Sequence, residues 1–334
     1  MEQRKVIQFG KSALCMTLPH AWTKKHQIRK GDLINVQETL RNSLELFPAV
    51  AEMKPSSSLT IDISGRTTDE IIQLILATYL NGYTVVTLKG SNKGKVAYLR
   101  EHIHEFIAAE IMEVTSDTIV IHVFWDVETI NLNTILRRID HIIRSIFEET
   151  KDILEEKVRT NDIKEKGNEI QRQVLLGKRA ITYALNNSST ALKFNLSSLE
   201  LYYLSYIIYF SGRIAEYIPF IAESIEAADF EKEITQEEKE EFTEIFTRAY
   251  QYYKKVMDVY NKRNQGQKFV LSEYEEFHKE IEAYRQRNGN AKKPIPGEYL
   301  MLLVRTIKEM EFTMINLENS PKPLGNEQEQ LKQE

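Results

Sequence analysis

Residues 18–34 read Leu18-Pro19-His20-Ala21-Trp22-Thr23-Lys24-Lys25-His26-Gln27-Ile28-Arg29-Lys30-Gly31-Asp32-Leu33-Ile34. The step Leu18-Pro19 predicts a short helix over about 20–27, because proline is well tolerated where a helix begins. Residues 28–32 then predict a turn into a strand over 33–36. Gly31 suits that turn, because glycine adopts a positive φ at little cost.

The N-terminal segment is too small to form a core on its own. Upstream of the quoted stretch, residues 4–17 predict two short strands around the turn Gly10-Lys11-Ser12. Segments below about 40 to 60 residues usually need a disulfide, a metal or a partner chain to fold. The sequence contains a single cysteine, Cys15, which excludes an internal disulfide and a zinc site built from several cysteines. We therefore expect this segment to dimerise.

Charge is distributed unevenly along the chain. The segment Met1–Phe47 carries eight basic and four acidic residues, a net charge of +4, whereas the whole chain carries −5. A basic module attached to an acidic remainder suggests that the module binds a polyanion. The alternative is an ordinary solvated surface of mixed charge.

Taken together, Arg4-Lys5-Val6, Leu18-Pro19-x-x-Trp22 and the run 28–34 resemble the AbrB/SpoVT-type swapped-hairpin domains, over about 45 residues. The resemblance implies a homodimer whose strands interleave and whose basic face contacts DNA phosphates. The residues expected to form the fold motif are Leu18, Pro19, Trp22, Gly31 and Asp32. Those expected to contact DNA are Arg4, Lys5, Lys11, Lys24, Lys25, Arg29 and Lys30.

The remaining sequence predicts two further parts. After a polar linker at 55–58, strands over 59–63, 83–88, 111–114 and 118–124 alternate with helices over 69–80 and 97–109, which predicts a small α/β unit. From Asn131 the pattern predicts about six amphipathic helices, over 132–159, 163–188, 196–228, 235–263, 270–288 and 296–317.

The third of these helices carries Arg213-Ile214-Ala215-Glu216-Tyr217 followed by Ile221-Ala222-Glu223, and it is similar to a motif of PhoU-type phosphate regulators. The last helix carries a weaker likeness at 308–312. A swapped hairpin, a small α/β unit and a helical bundle in this order resemble the archaeal-type PhoU regulators. The fold class expected is therefore multi-domain α+β, with an N-terminal swapped-hairpin β domain, a small α/β domain and a C-terminal all-α PhoU-like double three-helix bundle. The expected domains are 1–48, 58–127 and 131–318, with a disordered tail over 319–334.

PhoU-type proteins often bind metal through two carboxylates four residues apart on one helix face. The matching pairs in this sequence are Gly212 with Glu216 and Ile307 with Glu311, so half of the carboxylates are missing. We therefore predict no metal site and no cofactor, and Glu216 and Glu311 are the remaining candidates for a weak metal contact.

An aromatic series in the third helix has helical spacing. Its members are Tyr202, Tyr206, Tyr209, Phe210, Tyr217 and Phe220. Such a series is typical of a helix face buried in a bundle, and we predict that it forms part of the core.

The resemblance implies a non-enzymatic, DNA-binding regulator of phosphate uptake that receives a phosphate signal through the helical domain, from a phosphate transporter or a signalling protein. The alternative is a dimeric adaptor of such a system that does not bind DNA. No catalytic constellation emerges at a recognisable spacing, and an enzyme is not expected. The start of the chain lacks a run of signal-peptide length, and the most hydrophobic stretch, 71–80, contains Gln73 and Thr78. We expect a cytoplasmic protein without membrane insertion.

Overall fold

The computed structural model describes residues 3–38, 44–48, 58–91, 93–125, 129–155, 162–226, 235–261, 273–288 and 296–320. The chain divides into two compact units, which are Met1–Pro55 together with Pro323–Glu334, and Ser56–Lys322. We refer to them as the first and second units. The predicted tail over 319–334 lies outside the described residues from residue 321 onward.

The described residues of the first unit form two small antiparallel sheets and one short helix. Strands β1 (Ile7–Phe9) and β2 (Ala13–Cys15) form a hairpin, helix α1 spans His20–Lys25, and β3 (Ile34–Glu38) pairs with β4 (Leu44–Pro48). The first three strands and the helix were predicted from the sequence. Strand β4 was not predicted, because its alternation covers only Leu44-Glu45-Leu46 before Phe47 and Pro48.

The second unit begins with a four-stranded mixed sheet in the order β5-β6-β8-β7. Strands β5 and β6 are parallel and are joined through α2, whereas β6, β8 and β7 are antiparallel. The core beneath the sheet is built from isoleucine, valine, leucine and aromatic side chains. The elements are β5 (Ser58–Asp62), α2 (Thr68–Leu80), β6 (Val85–Lys89), α3 (Val96–His102), β7 (Ala109–Val114) and β8 (Thr118–Val123).

The predicted helix over 97–109 is too long at its C-terminal end. Helix α3 ends at His102, a 3₁₀ turn covers Ile103–Glu105, and Ala108 adopts a φ of +65°. A positive φ at Ala108 is incompatible with a continuing α-helix. The chain therefore turns there and enters β7 directly.

The rest of the second unit is a helical bundle with a continuous apolar core. Five of the six long helices begin within two residues of their predicted starts, and the fifth begins three residues later. The short α6 fills the gap between the helices predicted over 163–188 and 196–228. The helices are α4 (Leu132–Leu154), α5 (Asp162–Asn186), α6 (Ser188–Phe194), α7 (Ser198–Glu226), α8 (Gln236–Asn261), α9 (Glu273–Asn288) and α10 (Pro296–Glu318).

Three helix starts in the second unit are set by short local motifs. At α7 the backbone N–H of Ser197 donates to the Glu200 carboxylate at 2.8 Å, and the backbone N–H of Glu200 donates to the Ser197 hydroxyl at 3.2 Å. Thr67 with Glu70, before α2, and Thr235 with Glu238, before α8, make the same reciprocal pair. Each capping box satisfies backbone donors that the first turn leaves unpaired.

A buried arginine joins the sheet to the bundle. Arg179 of α5 donates hydrogen bonds to the backbone carbonyls of Tyr79 and Tyr83, the latter at 3.0 Å. Its guanidinium carbon lies 4.8 Å from the centre of the Tyr79 ring and 4.9 Å from that of the Trp125 ring. Burial lowers the pKa of Arg179 to about 10, since the charged form loses its hydration. Two carbonyls and two rings surround the guanidinium in place of water, while its Nε–H is buried without a hydrogen-bond acceptor among the described residues.

Candidate nucleic-acid interface

The basic residues predicted to contact DNA lie on two parts of the first unit. Lys24 and Lys25 form the last turn of α1, where positive charge is favourable next to the negative end of the helix dipole. Arg29 and Lys30 follow in the turn after α1, so four cations fall within seven residues of chain. All four side chains are exposed.

The other three predicted cations belong to the β1–β2 hairpin and its approach. Lys5 and Lys11 are exposed. Arg4 is half-buried, and its guanidinium donates a 2.9 Å hydrogen bond to the hydroxyl of Thr17. Arg4 therefore ties the two ends of the hairpin together. Its guanidinium would have to bind an anion while it keeps this hydrogen bond to Thr17.

The turn that carries Arg29 and Lys30 is organised by the predicted motif residues. The Asp32 carboxylate accepts a 2.7 Å hydrogen bond from the backbone N–H of Arg29, and the backbone N–H of Asp32 donates to the Arg29 carbonyl at 3.1 Å. Gly31, between them, has a φ of +98°, as the sequence predicted. The Asp32 hydrogen bonds and the positive φ of Gly31 thus fix the shape of the turn that follows α1.

Leu18, Pro19 and Trp22 lie at the start of α1, with Pro19 as its N-cap residue. All three are half-buried. The Trp22 ring packs at 5.3 Å from the ring of His26, one helical turn later. Part of the apolar surface of the Trp22 indole is therefore exposed in a single copy of the first unit.

The first unit has no closed core of its own in the part that the structure describes. Among residues 3–36 and 44–48, whose burial is described, none is buried. Phe9 of β1 and Leu14 of β2 are each 73% exposed. Other strongly exposed apolar side chains in this unit are Val6, Ile7, Met16, Leu33, Val36 and Leu44.

The two candidate carboxylates for a metal lie in different environments. Glu216 is on the surface of α7 and is paired with Arg213. Glu311 of α10 is buried and accepts a 2.6 Å hydrogen bond from the hydroxyl of Tyr252. The positions that lack a carboxylate are buried as well, since Ile307 lies in the core and Gly212 packs against Val174. Over the described ranges, no three histidine, cysteine, aspartate or glutamate side chains are grouped so that they could hold a metal ion.

The predicted aromatic core face of α7 is only partly correct. Tyr217 is buried and Phe210 packs against the core, but Tyr202, Tyr206 and Tyr209 are 49%, 41% and 45% exposed, and Phe220 is exposed to the same degree. Isoleucines of α7 occupy the core instead, among them Ile207, Ile208, Ile214, Ile218 and Ile221. Burial of a tyrosine requires a partner for its hydroxyl, whereas isoleucine has no such requirement, so the isoleucine face is the one that packs.

Comparison of the chain with protein-family models, with curated proteins and with solved structures finds no match. Within the described residues, every helix is too short or too polar to cross a lipid bilayer.

Proposed function

We propose that the protein is a homodimeric DNA-binding regulator of phosphate uptake, in which the first unit binds DNA and the helical bundle receives the phosphate signal. The observation that carries the DNA-binding part is the combination of exposed apolar strands and exposed cations in the first unit. These exposed apolar side chains belong to a unit in which none of the residues with described burial is buried, and they favour assembly with a second copy.

Dimerisation doubles the basic surface. The apolar side chains of β1 to β4 supply the contact, and Lys24, Lys25, Arg29 and Lys30 stay exposed in each copy. Two such groups of cations match the repeated phosphates of a duplex, which supply the part of DNA affinity that does not depend on sequence. A symmetric protein then favours a symmetric or nearly symmetric DNA site.

The phosphate part of the proposal rests on the likeness of residues 213–223 to the PhoU motif. In this chain, the motif lies on α7, the longest helix that the structure describes, and Arg213 and Glu216 form an ion pair on its surface. A phosphate transporter or a signalling protein is the partner expected to deliver the signal. Nothing in this role requires a catalytic group.

The direct test is an electrophoretic mobility shift with genomic fragments from around phosphate-transport genes. We expect retarded complexes at low salt, and we expect Lys24→Ala with Lys25→Ala to weaken them strongly. The matched control is Lys254→Ala with Lys255→Ala, an adjacent lysine pair near the end of α8 in the second unit, which should bind like the native chain.

Absence of any retarded complex, or equal effects of the two lysine pairs, would refute the DNA-binding proposal. The dimer without DNA affinity would then correspond to the adaptor alternative, in which the first unit serves only to join two chains.

A further inference from the structure

One exposed line of side chains runs along α7. Its members, which we call the α7 stripe, are separated alternately by three and four residues. They are Leu199, Tyr202, Tyr206, Tyr209, Arg213, Glu216 and Phe220. This alternation keeps a line of side chains on one face of a helix, and it is the spacing with which two helices pack along a shared seam.

The N-terminal half of the stripe is aromatic, and the ring of Phe210, which lies beside the stripe and packs against the core, joins Tyr206 to Tyr209. The rings of Tyr202 and Tyr206 lie 5.1 Å apart, and those of Tyr206 and Phe210 lie 6.1 Å apart. Phe220 stacks at 5.2 Å on Tyr299 of α10. Contiguous exposed apolar surface is unusual on a monomer and marks an interaction site, and tyrosine is enriched in such sites.

Neighbouring helices border the stripe without covering it. The Lys178 ammonium of α5 lies 5.1 Å from the centre of the Tyr209 ring, and the ring of Tyr299 of α10 stacks on the ring of Phe220. Leu185 of α5 and Phe312 of α10 are themselves exposed, so both bordering helices carry further apolar surface. A partner that packs on the stripe would therefore contact its aromatic rings and, beside them, Lys178 and apolar side chains of α5 and α10.

The charges of the stripe identify the partner and its orientation. The three tyrosines occupy the N-terminal half, and Arg213 and Glu216, with side chains 39% and 44% exposed, lie between them and Phe220. Within its own chain, Arg213 donates to the Glu216 carboxylate and, at 2.7 Å, to the Tyr217 hydroxyl. Two parallel copies of α7 would bring Arg213 next to Arg213 and Glu216 next to Glu216, which is unfavourable. Two antiparallel copies bring each charged residue next to a tyrosine of the other copy. A guanidinium is attracted to the face of a tyrosine ring, and a carboxylate accepts from a tyrosine hydroxyl.

We propose that α7 is a homotypic contact surface, on which a second copy of this chain packs antiparallel about a two-fold axis between Tyr209 and Arg213. In this register Tyr209 meets Arg213 of the other copy, Tyr206 meets Glu216, and Tyr202 meets Phe220. The surface is self-complementary, as a two-fold interface must be. The contact involves the second unit alone and does not depend on DNA binding or on the strands of the first unit.

Engineered cysteine pairs test this register in the full-length chain. In a Cys15→Ala background, Tyr206→Cys is combined with Glu216→Cys. These two positions are ten residues apart on one helix, about 15 Å along its axis, whereas a disulfide needs Cα atoms within about 7 Å. A disulfide between them must therefore join two chains. On mild oxidation we expect about tenfold more covalent dimer from the double variant than from either single variant, because docking raises the local thiol concentration.

A second pair and a matched control define the outcome. Tyr202→Cys with Phe220→Cys meets in the same register and should also give covalent dimer. Leu199→Cys with Tyr206→Cys is the control, because these two exposed positions do not meet in the proposed register. This variant should give no covalent dimer on a non-reducing gel. Coupling by the control pair or by single variants, or no coupling by either matched pair in chains that keep the native circular dichroism spectrum, would overturn the proposal.

Discussion

The guanidinium of Arg179 donates a 3.0 Å hydrogen bond to the backbone carbonyl of Tyr83, and this contact connects the bundle to the sheet of the second unit. Arg179 is among the largest fully buried side chains of the described residues. A buried cation is costly unless its surroundings replace water, and here two carbonyls and the rings of Tyr79 and Trp125 do so. The shape of the guanidinium, and not the charge alone, makes this arrangement favourable.

The loss of stability on replacement of Arg179 should therefore depend on the shape of the new side chain. Arg179→Lys keeps the buried charge but cannot donate to both carbonyls or present a planar group to the two rings, and we expect it to lower the free energy of unfolding by about 2 to 3 kcal/mol. Arg179→Met removes the charge together with its desolvation cost, and it should be milder.

The measurement for Arg179 is urea denaturation followed by circular dichroism. Arg138→Lys is the control, because Arg138 forms an exposed ion pair with Glu169 and such pairs contribute about 0 to 1 kcal/mol. A larger loss for Met than for Lys would show that the charge itself stabilises the contact.

Trp22 is expected to couple folding of the first unit to its assembly. The indole is half-buried in a single copy and has one ring neighbour, His26, among the described contacts. Trp22→Ala should weaken folding and dimerisation together by about 3 kcal/mol, the usual order for removal of a large aromatic side chain from a core.

Light scattering and urea denaturation of the full chain measure both effects of Trp22→Ala. Trp22→Phe serves as the control, since it keeps a ring at this position. An unchanged mass and an unchanged unfolding midpoint for Trp22→Ala would contradict the prediction.

DNA affinity should depend strongly on salt. If each chain neutralises about three phosphates, the dimer releases about six counterions, and the logarithm of the binding constant falls with the logarithm of salt concentration at a slope near −5. Lys24→Ala with Lys25→Ala should reduce the magnitude of this slope by about 3 to 4, since each dimer loses four cations. Fluorescence anisotropy across a salt series measures the slope, and a slope that does not respond to these lysines would contradict phosphate contact by α1.

Metal content should be substoichiometric. Glu216 is engaged by Arg213, and Glu311 is buried against the Tyr252 hydroxyl, so neither offers an open pair of oxygens to a cation. Elemental analysis of protein purified without chelators should find less iron or zinc than one equivalent per chain. Stoichiometric metal that disappears in Glu216→Ala and Glu311→Ala would refute this prediction.

Local features were accessible from the sequence because they depend on short-range physics. The helices of the bundle follow the 3.6-residue periodicity of their apolar residues, and breaks such as the one after residue 186 interrupt that pattern. The turn at Gly31 follows from the conformational freedom of glycine, and the positive charge of Met1–Phe47 can be counted directly. The capping boxes at Ser197 and Thr235 have a sequence signature too, and they would have refined the helix starts.

The tertiary structure decided which of two apolar faces α7 buries. Its sequence contains an isoleucine face and a tyrosine face, and periodicity alone treats both as core. In the bundle the isoleucines pack and the tyrosines of the α7 stripe stay at the surface, since a phenol hydroxyl is satisfied by water at no desolvation cost. Arg179 is the converse case. Its charge predicts exposure, but the rings and carbonyls that accept it come from residues 79, 83 and 125, about 100 and 54 positions away in the chain, and only folding brings them together.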